Sequence, residues 1–217
     1  MSNMTINILE TNPQIIKLMR DALLIEVNKY FTLTVIQNII NKIKPNIKSI
    51  ISNAPEAQSL ISGDLRGEFG IPNGLEVDFV KSIVLTIANN IQLDFYPIKL
   101  TGSSLSGGFT FYVAQEDFAD ILSLSEATIT TDKAQILPWL EWLLLHGNKI
   151  IISEHKLKFS PANSRSHSFI MVQDTGSFWS VPPQFAGTIK DNWITRALDD
   201  NLKVIQVIIA TELKRIF

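Results

Sequence analysis

Two stretches of the chain hold side chains able to do chemistry, and each fails a test of spacing or facing. In TGSSLSGGF, Thr101 to Phe109, backbone amides of a glycine-rich loop would be suited to cradle a phosphate. Gly102 and Gly107 have the required separation, but Gly108 and Phe109 stand where the lysine and the hydroxyl residue of a phosphate loop belong. The segment therefore reads as a connection between two strands. In SRSHS, Ser164 to Ser168, a histidine sits among hydroxyls, which is the raw material of a serine nucleophile. A base must face its nucleophile, however, and neighbours on a strand point to opposite faces. No G-x-S-x-G elbow accompanies the pair, so it reads as a polar loop, with a serine-type hydrolase the most remote of the functions considered.

The other chemical candidates are weaker. His146, His155 and His167 lie on separate predicted elements without the H-E-x-x-H spacing of a zinc site. GDLRGEFG has the wrong glycine spacing for a dinucleotide fingerprint and follows no strand. Glu141, between Trp139 and Trp142, belongs on the polar edge of an otherwise apolar helix, because carboxylates are rarely buried unpaired. No catalytic, cofactor-binding or metal-binding set emerges, and the chain reads as a non-enzyme without a cofactor.

The elements that would position these residues form an α+β pattern. Thr11 or Asn12 can cap a helix with Pro13 in its first turn, followed by Ile15, Ile16, Met19, Leu23 and Val27 at helical spacing. A second helix is expected from Leu33 to about Ser52, kinked or interrupted by Pro45. Both carry more than one apolar stripe, as helices packed on neighbours or on another copy of the chain would. The glycines of LISGDLRGEFGIPNG, Leu60 to Gly74, predict a short helix tip and then a turn. From Leu75 to Val113 the β-branched and aromatic content predicts strands of an antiparallel sheet. EDFADILSL and ILPWLEWLLLHGN read as helices, the second buried, with Pro138 in its first turn and Gly147 after its end. KIIISEHKLKF and SFIMVQ add strands. A long C-terminal helix from Lys190 through Ile216 closes the chain, with Thr188 and Asp191 at capping-box spacing and an interruption near Asp199-Asp200. The expected organisation is one domain: helical over 1–58, mixed sheet and helix over 59–189, and helical over 190–217.

Composition fits that organisation. A chain of 217 residues that is 46 % hydrophobic, with four Trp and twelve Phe, can fill a substantial core. Its net charge of −2 argues against binding dominated by phosphate neutralisation. Absence of cysteine rules out disulfides and thiolate metal sites. The N-terminal MSNMTINILETNPQ lacks the basic start and apolar run of a secretory leader, and no apolar run is long enough to predict a membrane span.

Four segments, SLISGDLRGEFGI, LPWLEWLLLHGNKIII, NSRSHSFIMV and FWSVPPQFAGTIKDNWITRALDD, run in order from about Ser59 to Leu198. Together they resemble a group of tailed-bacteriophage virion proteins of the neck, head-tail connector or tail-completion kind. The likeness departs at His167, where a glycine would be expected in an SRSG-like turn. The resemblance implies a structural subunit at the head-tail junction, assembled with other copies of itself as a ring. Its implied neighbours are portal-side connector and tail proteins, and genomic DNA passes through the channel. A tail terminator capping the tail tube is the alternative. The slightly acidic balance suits a channel that does not hold phosphates.

In that setting SFWSVPPQFAGTIKDNWITRALDD, Ser177 to Asp200, reads as a contact segment. Pro182 and Pro183 fix φ and predict an extended, preorganised arm. Phe178, Trp179 and Phe185 are candidate interface anchors, Trp193 divides evenly between interface and core, and Arg196 is expected to pair with carboxylates across a subunit boundary.

Overall fold

The computed structural model describes residues 11–30, 33–102, 104–113, 117–131 and 133–215. Residues 1–10, most of the N-terminal stretch read for a leader, and Ile216 lie outside the described residues.

The architecture is α+β, and among the described residues its strands form three separate two-stranded antiparallel ribbons instead of one sheet. Helix α1 (Asn12–Tyr30) begins where the Thr11 carbonyl accepts the Ile15 N–H. α2 (Leu33–Ser52) buries Ile39, Ile43, Ile47 and Ile51 at four-residue intervals. It passes through Pro45 without the expected interruption. Asn41 and Pro45 are both exposed, so the carbonyl that loses its donor faces water.

The glycine-rich segment is more helical than its composition predicts. α3 (Pro55–Ser62) and α4 (Asp64–Phe69) adjoin at Gly63, and the left-handed turn comes only at Gly70, φ +71°. Gly67 lies inside α4 because a Cβ there would come within 2.7–2.8 Å of the Phe169 ring and the Ser168 side chain. The largest correction follows: EVDFVKSIVLTIAN, expected as strand, is helix α5 (Glu76–Asn89), with Val80, Ile83, Val84, Ile87 and Ala88 buried.

Strands β1 (Gln92–Thr101) and β2 (Ser104–Tyr112) form a hairpin, as expected for TGSSLSGGF. Their register shifts between Tyr96 and Lys99. At that irregularity Asn28 of α1 supplies both missing bonds, its Oδ1 accepting from Ile98 N–H and its Nδ2 donating to Ile98 O, each at 3.0 Å. After the short α6 (Ala119–Leu122), β3 (Ile129–Thr130) pairs with β4 (Ile136–Leu137). α7 (Trp139–Leu145) follows Pro138 directly and buries Trp139, Leu140, Leu143 and Leu144.

β5 (Ile152–Phe159) pairs with β6 (Phe169–Trp179). The chain ends in α8 (Trp193–Asp200) and α9 (Leu202–Lys214), separated at Asn201. The C-terminal helix thus starts later than Lys190, and its break falls just past Asp199-Asp200. Asn192 caps it, not the Thr188–Asp191 pair. The Asn192 side chain accepts from Ile194 and Thr195 N–H, and Thr195 Oγ1 accepts from Asn192 N–H. One contiguous core joins α2, α3, α5, α7, α8 and α9. No helix among the described residues is long and apolar enough to cross a membrane.

Candidate functional site

The segment Ser177 to Asp200 is built into the body from both ends, and strand alternation explains its start. Phe178 faces solvent at 62 % exposure and its neighbour Trp179 is buried at 7 %. Trp179 stands edge-on to Phe69 (centroids 5.8 Å apart) and to Trp142 (5.9 Å), and Phe69 in turn touches Trp139 at 5.5 Å. Its indole N–H donates to Glu68 Oε2 at 3.1 Å. Trp179 is therefore a core residue with a polar tether, and Phe178 alone of the pair is available for contact.

The proline pair does not form an extended arm. Val181 is fully buried, and the N–H groups of Phe185 and Ala186 both return to the Pro182 carbonyl, at 2.9 and 3.0 Å, closing a turn with Pro183 at its exposed tip. The fixed proline φ suits the corner of a turn as well as an arm. Phe185 packs against the core from this turn, half-buried. Gly187 then passes against the C-terminal end of α7, where its carbonyl accepts the Gly147 N–H at 2.7 Å.

Arg196 locks the arrangement through carboxylate partners in its own chain. It donates from Nη2 to Glu56 Oε1 at 2.8 Å and from Nη1 to Asp191 Oδ1 at 3.1 Å, and reaches the carbonyls of Phe185 and Ala186 at 3.4 Å. Burial opposes its charge, but hydrogen bonding and attraction from Glu56 and then Asp191 outweigh it and raise the guanidinium above its usual value. One side chain thus ties α3, the proline turn and the loop before α8. Trp193 is fully buried and belongs to the core. Sequence reasoning missed Glu56, Glu68, Gly187 and Asn192. Only Asn192 had a local signal, its three-residue separation from Thr195.

The SRSHS loop is closed by its own hydroxyls. Ser164 and Ser166 Oγ lie 2.8 Å apart, Ser164 Oγ accepts from Ser168 N–H at 3.3 Å, and Ser166 is fully buried. His167 is exposed at φ +54°, the left-handed conformation that a glycine takes most readily. Arg165 extends from the same loop to the Thr130 carbonyl at 2.6 Å. Glu141 sits on the polar edge of α7, 3.4 Å from His146. Among the described residues no group of three His, Asp or Glu side chains is arranged to hold a metal ion.

A cleft of about 630 Å³ opens beside the aromatic cluster, lined by Glu68, Trp142, Trp179, Leu157, Met171 and Arg165 among others. Burial raises the Glu68 carboxyl above the usual range; the Trp179 N–H opposes this, and the charge of Asp64 adds to it. An acid whose folded value is raised binds its proton more tightly when folded, so its ionisation costs stability as pH rises through the window between the unfolded and folded values. Glu68→Gln keeps an oxygen for the Trp179 N–H and removes that cost. The variant should have a higher urea midpoint than the parent at neutral pH, with the gap closing at about pH 4.

No protein-family model, curated protein or solved structure matches this chain.

Proposed function

We propose that the chain is a structural subunit of a tailed-phage virion, a neck or tail-completion protein that joins the DNA-filled head to the tail within a ring of its own copies. Portal-side connector and tail proteins are its neighbours in this reading, and DNA passes through without being gripped. The observation that carries the assembly half of the proposal is the apolar surface left outside: Ile16, Leu18, Met19, Leu23 and Ile25 of α1 are all exposed, as are Phe178 and, on α9, Leu202, Val204 and Val207. Five large apolar side chains left outside on a single helix fit a contact made with another molecule. The likeness from Ser59 to Leu198 supports the phage half. The serine-loop hydrolase is disfavoured, because its hydroxyls close the loop.

A phage carrying an early stop codon in this gene tests the role by electron microscopy of its lysate. DNA-filled heads beside complete, unjoined tails of normal length are the expected debris. Tails of irregular length would assign the chain to tube termination instead, and intact virions in normal number would overturn both.

A further inference from the structure

Helix α1 keeps part of its apolar surface outside. Ile15, Leu24 and Val27 are partly covered together with Arg20, Asp21 and Asn28, while five large apolar side chains, Ile16, Leu18, Met19, Leu23 and Ile25, are 47–68 % exposed. These residues fall into two different seams. Ile16, Met19, Leu23 and Glu26 follow a 3-4-3 spacing; Leu18, Ala22, Ile25 and Lys29 follow 4-3-4 beside it. Such spacings are those by which one helix accepts the side chains of another.

We propose that the α1 helices of successive copies pack side by side and parallel, the Met19 seam of one copy against the Ala22 seam of the next. Two unlike seams make a head-to-tail contact, and a head-to-tail contact is what a closed ring requires. The contact deepens the ring assembly proposed above and rests on that reading. Charge sets its direction. Glu26 ends one seam and Lys29 ends the other, three residues apart near the C-terminal end of the helix, so parallel packing brings Glu26 near Lys29 of the neighbour. Antiparallel packing would place them at opposite ends. Within one chain the two pair only at the surface, 2.9 Å apart with side chains 56 % and 64 % exposed, and remain free to exchange partners. A lipid surface suits the helix less well, since membrane-surface helices present a basic polar face to the headgroups, whereas here the exposed Lys17 and Lys29 are accompanied by Glu26, which pairs with Lys29.

The test is the molar mass of the full chain by size-exclusion chromatography with light scattering. The parent should run as a multiple of the subunit and Leu23→Glu as a single subunit with an unchanged far-UV circular dichroism spectrum, since Leu23 is exposed. Glu26→Lys should weaken self-association by roughly three- to tenfold, within the range of exposed charge pairs and like-charge repulsion. Combining it with Lys29→Glu should restore association, because each swapped charge meets its swapped neighbour. A parent that stays a single subunit at every concentration overturns the contact, as does a Leu23→Glu variant of undiminished mass or a double variant that fails to recover. A parent subunit that floats with phosphatidylglycerol vesicles overturns it in favour of lipid. If Leu23→Glu dissociates the protein while the stop-codon phage makes normal virions, the helix contact stands and the head-tail role falls; the opposite pattern removes the contact and leaves the role.

Discussion

Trp193→Ala should lower the stability of the isolated subunit by about 3–5 kcal/mol in urea unfolding, the usual cost of deleting a fully buried tryptophan. Trp193 is among the largest side chains with no exposure, and it opens α8 immediately after the Asn192 cap. The loss would combine a cavity beneath the helix with weaker docking of its first turn. Trp193→Phe separates the contributions. Among the described residues the Trp193 indole N–H finds no acceptor, so phenylalanine removes a buried orphan donor, itself a cost of about 1–3 kcal/mol, along with part of the ring. Phenylalanine should therefore cost much less than alanine. A Trp193→Ala subunit that keeps its unfolding midpoint and loses only assembly would return this residue to the interface.

Gly187→Ala is expected to destabilise by about 2–3 kcal/mol, at the upper end of overpacking effects. A Cβ at this position would lie 2.7 Å from the Leu143 carbonyl oxygen, 3.0 Å from that of Leu144 and 2.7 Å from Asn192 Cβ. Two of these neighbours are backbone at the end of α7 and the third belongs to a cap engaged with two N–H groups, so none can swing aside. Relief would require the proline turn to lift from α7, taking with it the carbonyls that Arg196 holds. Thermal unfolding monitored by far-UV circular dichroism should show the drop. An unchanged midpoint would mean that the turn and α7 separate easily, and the close packing assigned to Gly187 would be wrong.

Local pattern made some elements legible and long-range pairing hid others. α2 was readable to its ends because isoleucines repeat on one face. The β-branched content of α5 points to a strand, whereas the helical spacing of Val80, Ile83, Val84 and Ile87 decides the outcome, because their burial offsets the small propensity loss of Val and Ile in a helix. Trp179 and Phe178 obeyed alternation, but which of them turned inward depended on Phe69 and Trp142, far away in sequence. Arg196 was visible as a charge seeking carboxylates. Its partner Glu56 lies 140 residues earlier, and no spacing rule reaches that far. The proline pair announced restricted φ and left its use undecided between arm and turn.

The three ribbons bear on how the chain reaches this fold. Each is closed between strands adjacent in sequence, β1 to β2, β3 to β4 and β5 to β6, so no strand must search the chain for a distant mate. Helices and hairpins can form early at low entropic cost, because the loops they close are short. The contacts that join remote parts, α2 against α9 and Glu56 against Arg196, carry the larger loop-closure cost. Docking of locally formed pieces is therefore the expected slow step of folding.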